Sequence, residues 1–398
     1  KLITFMMLLS ALLLTTASSV NIDEYHCPTF EGLDRMIDAT NGVKVPLTDA
    51  MNTDGAACLD GSVPVMYWRA GTGEGVNKFH VYFEGGGWCG GIDDQLSPCQ
   101  DTCVHRSGTD LGSSKAYPAA ANYDGGYMST SASINPLTYN WNTIYVKYCD
   151  GASFSGNNDT TNEYNSTLTL HWRGWRILNG VFTTLDKNYK WSSATDVLIS
   201  GCSAGGLTTW LHSQHIYDTY VKPLGIKPTN FLSMPDSGFF LEYEGNGKYI
   251  TAMNWLINWQ NTSAALNKEC MTANSDDTLK CMFAQETAPY ENIRMFPLQS
   301  RFDSWQAGCE LQSSNAAQIN NYGANLTTDF ENMYIKNGKY KMLHSGFLDS
   351  CYHHCGEWNA FEIDGLTASK AQYQVYMGNN TQQWWFQQET YPCNQCCK

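Results

Sequence analysis

One serine lies in a setting typical of an enzyme nucleophile. Ser203 is flanked by small residues in the segment GCSAGG, residues 201–206, which follows an apolar, β-prone run over 196–200 and precedes a helix-prone run over 207–212. A tight turn from strand to helix needs small residues beside the serine and leaves its hydroxyl exposed at the edge of a sheet. Backbone N–H groups at the helix start then face any oxyanion formed there. The spacing predicts a nucleophile elbow, although a glycine-rich loop with an ordinary surface serine would share it.

A serine nucleophile needs a base, usually a histidine, and a carboxylate that orients the base. Five histidines follow the serine: His212, His215, His344, His353 and His354. The first two belong to the helix that leaves the elbow and should point away from the serine, and the third falls within a predicted strand. The last two lie in a loop after the last predicted strand, and cysteines flank this loop. It therefore suits a base that must be held in a fixed position.

Three aspartates are candidates for the orienting carboxylate, which in an α/β-hydrolase-like sheet lies between the serine and the histidine in chain order. Asp303 follows a predicted strand near 295–298 and precedes the histidine loop, so we rank it first. Asp236 follows the strand next after the elbow and ranks second. Asp349 ranks third because it lies very near the histidine loop in sequence.

A glycine-rich segment upstream of the elbow could supply oxyanion donors. Gly85, Gly86, Gly87 and Trp88 follow a β-prone run and resemble the oxyanion loop of lipases and esterases. Glycines let the backbone approach the substrate closely and turn an N–H inward. A plain glycine turn is the alternative. We also expect Trp88 to offer a stacking surface for a sugar ring.

The elements around these motifs indicate the fold class. Short β-prone runs alternate with helical patterns, and the runs cover 79–83, 143–148, 196–200, 231–234, 295–298 and 341–344. A helical pattern over 175–185 precedes the elbow strand. This alternation predicts an α/β fold with a mostly parallel central sheet, helices on both faces and loop insertions. Because the polar clusters follow strands, they should gather at the carboxyl edge of that sheet.

Composition narrows the function classes. The 398 residues carry a net charge of −14, which argues against binding nucleic acid or an anionic membrane surface. Residues 1–19 read as a signal peptide, and their apolar run is too short for a stable membrane anchor. Residues 20–398 contain no linker or internal repeat. We therefore expect one secreted or cell-wall domain with a cysteine-containing tail, acting as a monomer.

Fifteen cysteines indicate a disulfide framework in a secreted chain. The odd count leaves at least one thiol unpaired, and we expect it to be Cys202, buried within the elbow. A zinc site at Cys351, His353, His354 and Cys355 is disfavoured because no second ligand cluster accompanies it. We expect no metal. Five sequons fit the secretory route: Asn158, Asn165, Asn261, Asn325 and Asn379.

Together these motifs resemble the pectin acetylesterase family, which also includes the animal Notum carboxylesterases. The matching segments follow the family's order and cover 83–89, 148–156, 173–174, 201–206, 235–240, 302–306 and 350–355. Residues 149–154 and the cysteine directly after His354 favour the plant-type branch. The tail after residue 365 has no counterpart in this resemblance.

The resemblance implies a secreted α/β-hydrolase-like serine esterase that needs no cofactor. It implies the catalytic set Ser203, Asp303 and His354, and it selects His354 over its neighbour as the base. The oxyanion donors it implies are the backbone N–H groups of Gly87, Trp88 and Ala204.

The expected reaction is removal of acetyl groups from a pectin-like polysaccharide. A Notum-like lipid-ester hydrolase, which acts on palmitoleoyl-protein, and a non-catalytic glycan-binding protein are the alternatives. Pectin and this chain are both acidic, so long-range repulsion should slow their encounter. The charge therefore predicts an acidic optimum, a local basic groove or a neutral acetylated glycan as substrate.

Overall fold

The structure is a computed structural model that describes residues 42–89, 99–121, 125–165, 167–243, 247–332, 345–356, 358–378 and 383–393. The predicted signal peptide, the predicted strand at 341–344 with His344, and the sequon at Asn379 lie outside the described residues. Among the helices that are described, none is both long enough and apolar enough to cross a membrane.

Strands and helices alternate along most of the described chain. The strands are β1 (Gly42–Pro46), β2 (Val65–Arg69), β3 (Lys78–Phe83), β4 (Ala120–Ala121), β5 (Asn142–Val146), β6 (Asn158–Asn165), β7 (Leu168–Trp172), β8 (Asp196–Cys202), β9 (Phe231–Asp236), β10 (Leu298–Ser300), β11 (Gly346–Asp349) and β12 (Trp384–Phe386). The α-helices are α1 (Thr48–Asp54), α2 (Cys99–Ser107), α3 (Gly174–Asn188), α4 (Ala204–Ile216), α5 (Gly247–Trp259), α6 (Lys268–Ala273), α7 (Ala284–Thr287), α8 (Ala316–Glu331) and α9 (Ala368–Met377).

Within the described ranges, ten strands form one sheet in the order β12-β11-β10-β9-β8-β3-β5-β2-β1-β4. Neighbouring strands are parallel from β12 across to β5 and antiparallel from β5 to β4. The separate hairpin β6–β7 precedes α3. The prediction of a mostly parallel sheet is confirmed, and the predicted strands at 79–83, 143–148, 196–200 and 231–234 match β3, β5, β8 and β9 to within a few residues.

The central strand β8 shows why the sheet is covered on both faces. Val197 and Ile199 pack into one core together with α3 and α4, whereas Leu198 packs into a second core together with α9. Successive side chains of a strand point to opposite faces, so a run that is apolar at every position must be buried on both. Helices on both faces were predicted, and the structure confirms them.

The C-terminal tail is part of the sheet, which the sequence did not predict. β12 pairs in parallel with β11, and Trp385 lies opposite Phe347 with 2% of its surface exposed. The histidine loop therefore follows β11 rather than the last strand. The apolar run Trp384–Phe386 covers an edge that would otherwise expose the backbone groups of β11.

Candidate active site

The predicted functional segments gather at the carboxyl edge of the parallel strands. The glycine loop, residues 85–88, follows β3, and Ser203 follows β8. Asp303 follows β10, and the histidine loop, residues 350–355, follows β11. These four strands belong to the parallel part of the sheet, so their carboxyl ends meet at one edge. The expected gathering of polar clusters is confirmed.

Ser203 occupies a sharp turn between β8 and α4. Its φ of 59° and ψ of −123° lie outside the regions that most residues adopt, as a nucleophile elbow requires. A Cβ on Gly205 would lie 2.0 Å from the Phe83 carbonyl oxygen, and a Cβ on Gly201 would lie 2.3 Å from that of Gly205. Only glycines allow the helix start to pass this close to β3, so the predicted strand–turn–helix is confirmed.

The glycine loop lies directly against this turn. A Cβ on Gly85 would come within 2.3 Å of the Cys202 carbonyl oxygen and 3.0 Å of the Ser203 Cβ. Gly86 and Gly87 have φ values of 137° and 64°, which glycine adopts readily. The first N–H groups of α4, including that of Ala204, have no acceptor within the helix. Of the predicted donors, Ala204 directly follows Ser203, and Gly87 and Trp88 belong to the loop whose first glycine, Gly85, contacts the turn.

Trp88 is an interior residue, so the expected sugar-stacking surface is wrong. Only 1% of its surface is exposed, and its ring packs against Phe240 at 4.9 Å and against Tyr249 and Trp305 at 5.6 Å each. The indole Nε1 donates to the Ser153 hydroxyl at 2.7 Å. An apolar ring with three aromatic neighbours gains more from burial than from exposure to water.

Asp303 and His354 are brought together by the structure. His354 Nδ1 lies 2.9 Å from Asp303 Oδ1 and 2.8 Å from Oδ2, and both side chains are almost fully buried. The Gln306 backbone N–H donates to Asp303 Oδ1 at 3.0 Å, and the Ser304 N–H donates to the His353 carbonyl at 3.0 Å. The carboxylate is thus fixed relative to both its own loop and the histidine loop.

Two side-chain atoms of this set, one on Ser203 and one on His354, remain to be placed. Neither Ser203 Oγ nor His354 Nε2 has a hydrogen-bond partner among the described residues, and both are buried. With Nδ1 engaged by Asp303, Nε2 is the ring atom left to accept a proton. Hydrogen bonds between nucleophile and base are often long before substrate binds and shorten in the complex.

The expectation that Cys202 is an unpaired thiol is wrong. Cys202 forms a disulfide with Cys355, with the two Cα atoms 5.8 Å apart and a sequence separation of 153. The pairing is possible because the end of β8 lies beside the histidine loop. It links the residue before Ser203 to the residue after His354. The signal that we missed was a cysteine next to each of these two residues.

The other two aspartates contact different partners. Asp349 contacts the Nε2 of His353 at 3.1 Å through both oxygens. Asp236 accepts from the Tyr127 hydroxyl at 3.1 Å and from the Gly356 N–H at 3.3 Å, and burial raises its pKa to about 6. Asp303 is therefore the aspartate positioned to orient His354.

His353 should make the stability of the protein depend on pH. Burial alone opposes its charge, but the neighbouring carboxylates of Asp349, Asp236 and Asp303 outweigh burial and raise its pKa to about 9. Since the unfolded value is about 6.5, its contribution is complete below that pH and is lost as the pH rises towards 9. We expect urea unfolding to show this loss, at most about 3 kcal/mol, in the wild type and not in His353→Gln. Identical pH dependence in both proteins would contradict this role.

Two of the four residues considered as zinc ligands are not available to bind a metal ion. Cys355 pairs with Cys202, and Cys351 is also disulfide-bonded, so neither offers a thiolate. Within the described ranges, no group of three or more His, Cys, Asp or Glu side chains is arranged to hold a metal ion.

Comparison with known proteins gives consistent matches over most of the chain. A family model described as pectinacetylesterase matches residues 38–398, which includes the tail after residue 365 that the motif resemblance does not cover. Pectin acetylesterase 5 of Arabidopsis thaliana is 28% identical over 91% of this chain and 86% of its own length. Pectin acetylesterase 7 of the same plant is 30% identical over 83% of this chain and 84% of its own length.

The matches extend to the Notum carboxylesterases. The palmitoleoyl-protein carboxylesterase of Schmidtea mediterranea is 30% identical over 48% of this chain and 34% of its own length. The structure of the Wnt deacylase Notum from Drosophila superposes with a TM-score of 0.75 at 20% identity, covering 90% of this chain and all of that one. This likeness shows that the fold is α/β-hydrolase-like.

Proposed function

Because this chain belongs to the pectinacetylesterase family and is a carboxylic ester hydrolase, we propose that it releases acetate from an acetylated polysaccharide through an acyl-enzyme on Ser203. The observation that carries the proposal is the hydrogen bond from His354 Nδ1 to the buried Asp303. This bond leaves Nε2 as the basic atom, on a loop that is linked by a disulfide to the residue before Ser203.

The proposed reaction has two halves. His354 Nε2 takes the proton of Ser203 Oγ while the oxygen attacks the ester carbonyl, and Asp303 stabilises the imidazolium that forms. The N–H groups of Gly87, Trp88 and Ala204 stabilise the tetrahedral oxyanion. As the bond from the acyl carbon to the sugar oxygen breaks, His354 gives its proton to that oxygen, which departs as a hydroxyl. In the second half, His354 activates a water that attacks the acetyl-serine and releases acetate.

Two lines of support favour an acetylated polysaccharide over a lipid ester. The two plant pectin acetylesterases are 28% and 30% identical over 86% and 84% of their own length, whereas the Notum carboxylesterases of Drosophila melanogaster and Xenopus laevis are 24% identical over 46% and 65% of theirs. Residues 149–154 and the cysteine after His354 also follow the plant pattern. The proposed partner is therefore a glycan, with the particular polysaccharide left to experiment.

We also place the protein outside the cytosol. Four disulfides lie within the described residues: Cys58–Cys149, Cys89–Cys103, Cys202–Cys355 and Cys270–Cys281. Disulfides persist in oxidising compartments and are rare in the cytosol. Together with the predicted signal peptide, they support secretion.

Acetate release from a panel of substrates tests the proposal. The panel contains acetylated pectin, acetylated xylan, neutral acetylated glycans and nitrophenyl esters from acetate to palmitate, with Ser203→Ala as the background. We expect release from at least one glycan, a preference for short acyl chains and no release above background by Ser203→Ala. A preference for long chains would favour the lipid-ester alternative. Equal rates in wild type and Ser203→Ala would exclude the proposed mechanism.

A further inference from the structure

A buried chain of polar groups joins the glycine loop to the first turn of α4. The Tyr148 hydroxyl donates to the Gly87 carbonyl at 2.7 Å and accepts from the Ser153 N–H at 3.0 Å. The Ser153 hydroxyl accepts from Trp88 Nε1 at 2.7 Å and donates to the Ala204 carbonyl at 2.8 Å. Tyr148 and Ser153 are both fully buried. Each residue expected to bind the oxyanion therefore has a contact to one of these two side chains.

The contact at Gly87 fixes the direction of a neighbouring N–H. The Gly87 carbonyl and the Trp88 N–H belong to the same planar peptide and point in opposite directions. A hydrogen bond that holds the carbonyl therefore also aims the Trp88 N–H. Gly86 and Gly87 have positive φ values, and glycine has little intrinsic preference for one backbone conformation. The Gly87–Trp88 peptide therefore needs a restraint from outside the loop.

The backbone around Ser153 is itself held in an unusual conformation. Ser153 and Phe154 have φ values of 49° and 56°, which non-glycine residues rarely adopt. Asp150 Oδ2 accepts from the N–H groups of Ala152 at 3.2 Å and Phe154 at 3.0 Å, and so stabilises the turn. A Cβ on Gly174 would lie 2.1 Å from that oxygen, so a glycine there makes room for the carboxylate. Backbone strain that persists in this way is concentrated at functional sites.

We propose that Tyr148 and Ser153 are positioning residues for the oxyanion site. Tyr148 aims the Gly87–Trp88 peptide, and Ser153 ties the indole of Trp88 to the start of α4. The inference rests on the proposed function, since Tyr148 and Ser153 contact the residues whose N–H groups would bind the oxyanion. Full negative charge at that site develops only in the transition state, so their loss should lower kcat and leave KM unchanged.

The test compares two variants with matched controls. Tyr148→Phe and Ser153→Ala each remove one hydroxyl oxygen. Tyr217→Phe removes a buried hydroxyl that donates to the Ile226 carbonyl at 3.3 Å, and Ser213→Ala removes a fully buried serine hydroxyl bonded to Ser233 at 2.7 Å. Tyr217 directly follows α4, so about 20 Å of helix separates it from Ser203. Both controls report the stability cost of losing a buried hydroxyl.

Two readouts separate positioning from simple stability. We expect kcat for an acetyl ester to fall about tenfold to hundredfold in Tyr148→Phe and Ser153→Ala with KM unchanged, and to stay near wild type in both controls. A trifluoromethyl ketone forms a tetrahedral oxyanion with a serine nucleophile. Its inhibition constant should rise by the same factor as kcat falls, whereas a loss of stability alone would not change it.

The outcomes distinguish this inference from the proposed function. If Ser203→Ala is inactive but Tyr148→Phe matches Tyr217→Phe in kcat and inhibition constant, the positioning role is wrong and the proposed function stands. If Ser203→Ala keeps its activity, both are wrong. Tyr148→Phe alone decides the inference should Ser153→Ala fail to fold, because it preserves the packing of the ring.

Discussion

Asp303→Asn is expected to lower kcat for an acetyl ester by about ten-thousandfold while the protein remains folded. The Gln306 N–H donates to Oδ1 at 3.0 Å, so the amide oxygen of the asparagine should occupy that position. The amide NH₂ then takes the place of Oδ2, 2.8 Å from His354 Nδ1. As a donor it would favour the tautomer with the proton on Nε2, and that tautomer cannot accept the proton of Ser203.

Asp236→Asn is the matched comparison, since Asp236 was the second candidate for the orienting carboxylate. It is also buried, but its carboxylate accepts from Tyr127 and Gly356 rather than from a histidine. We expect its loss of kcat to be less than about tenfold. Circular dichroism and steady-state kinetics on both variants provide the measurement. Equal losses, or the larger loss in Asp236→Asn, would contradict the role given to Asp303.

Removal of the Cys202–Cys355 disulfide should affect both stability and rate. The bond closes a loop with a sequence separation of 153, and in the chain-entropy view its loss costs about 5 kcal/mol of unfolding free energy. Without the disulfide, Cys355, which follows His354, is no longer linked to Cys202, which precedes Ser203. The Cys355 N–H still donates to the Ser237 hydroxyl at 2.9 Å, so the histidine loop should shift rather than detach. A shift of about 1 Å can cost a hundredfold in rate, so we expect kcat to fall at least about tenfold in Cys202→Ser/Cys355→Ser.

The disulfide between Cys270 and Cys281 offers a control within the same chain. Its sequence separation is 11, and it joins α6 to a short helical turn that precedes α7. Cys270→Ser/Cys281→Ser should lose less stability, about 3 kcal/mol, and keep its kcat. Urea unfolding measures the stability of both double variants. Their kcat, measured well below the unfolding transition of either variant, reports the effect on rate separately. An unchanged kcat in Cys202→Ser/Cys355→Ser would show that the bond serves stability alone.

Local chemistry made much of the candidate site predictable from the sequence. The small residues around Ser203 are the ones that a tight turn from strand to helix needs, and Asp303 precedes the histidine loop in chain order. Alternating strand and helix patterns fixed the sheet type, so the carboxyl edge followed from a general rule about parallel sheets. These inferences depend on neighbouring residues or on topology, both of which a single sequence carries.

Long-range contacts made the rest unpredictable. The partner of Cys202 lies 153 residues away, and only the folded sheet brings Cys355 beside it. The burial of Trp88 depends on three aromatic rings from distant segments. β12 is short, and its role became visible only through its pairing with β11. The polar chain through Tyr148 and Ser153 likewise depends on contacts that span several elements.

Labelling with a fluorophosphonate, followed by peptide mass mapping, tests most directly whether Ser203 is the nucleophile. The reagent forms a stable adduct with a serine that an adjacent base activates. We expect one adduct, on the peptide that contains Ser203, with acetate release lost in proportion to labelling, and neither labelling nor release in Ser203→Ala. An adduct on another residue that abolishes activity, or acetate release by Ser203→Ala at the wild-type rate, would contradict the account.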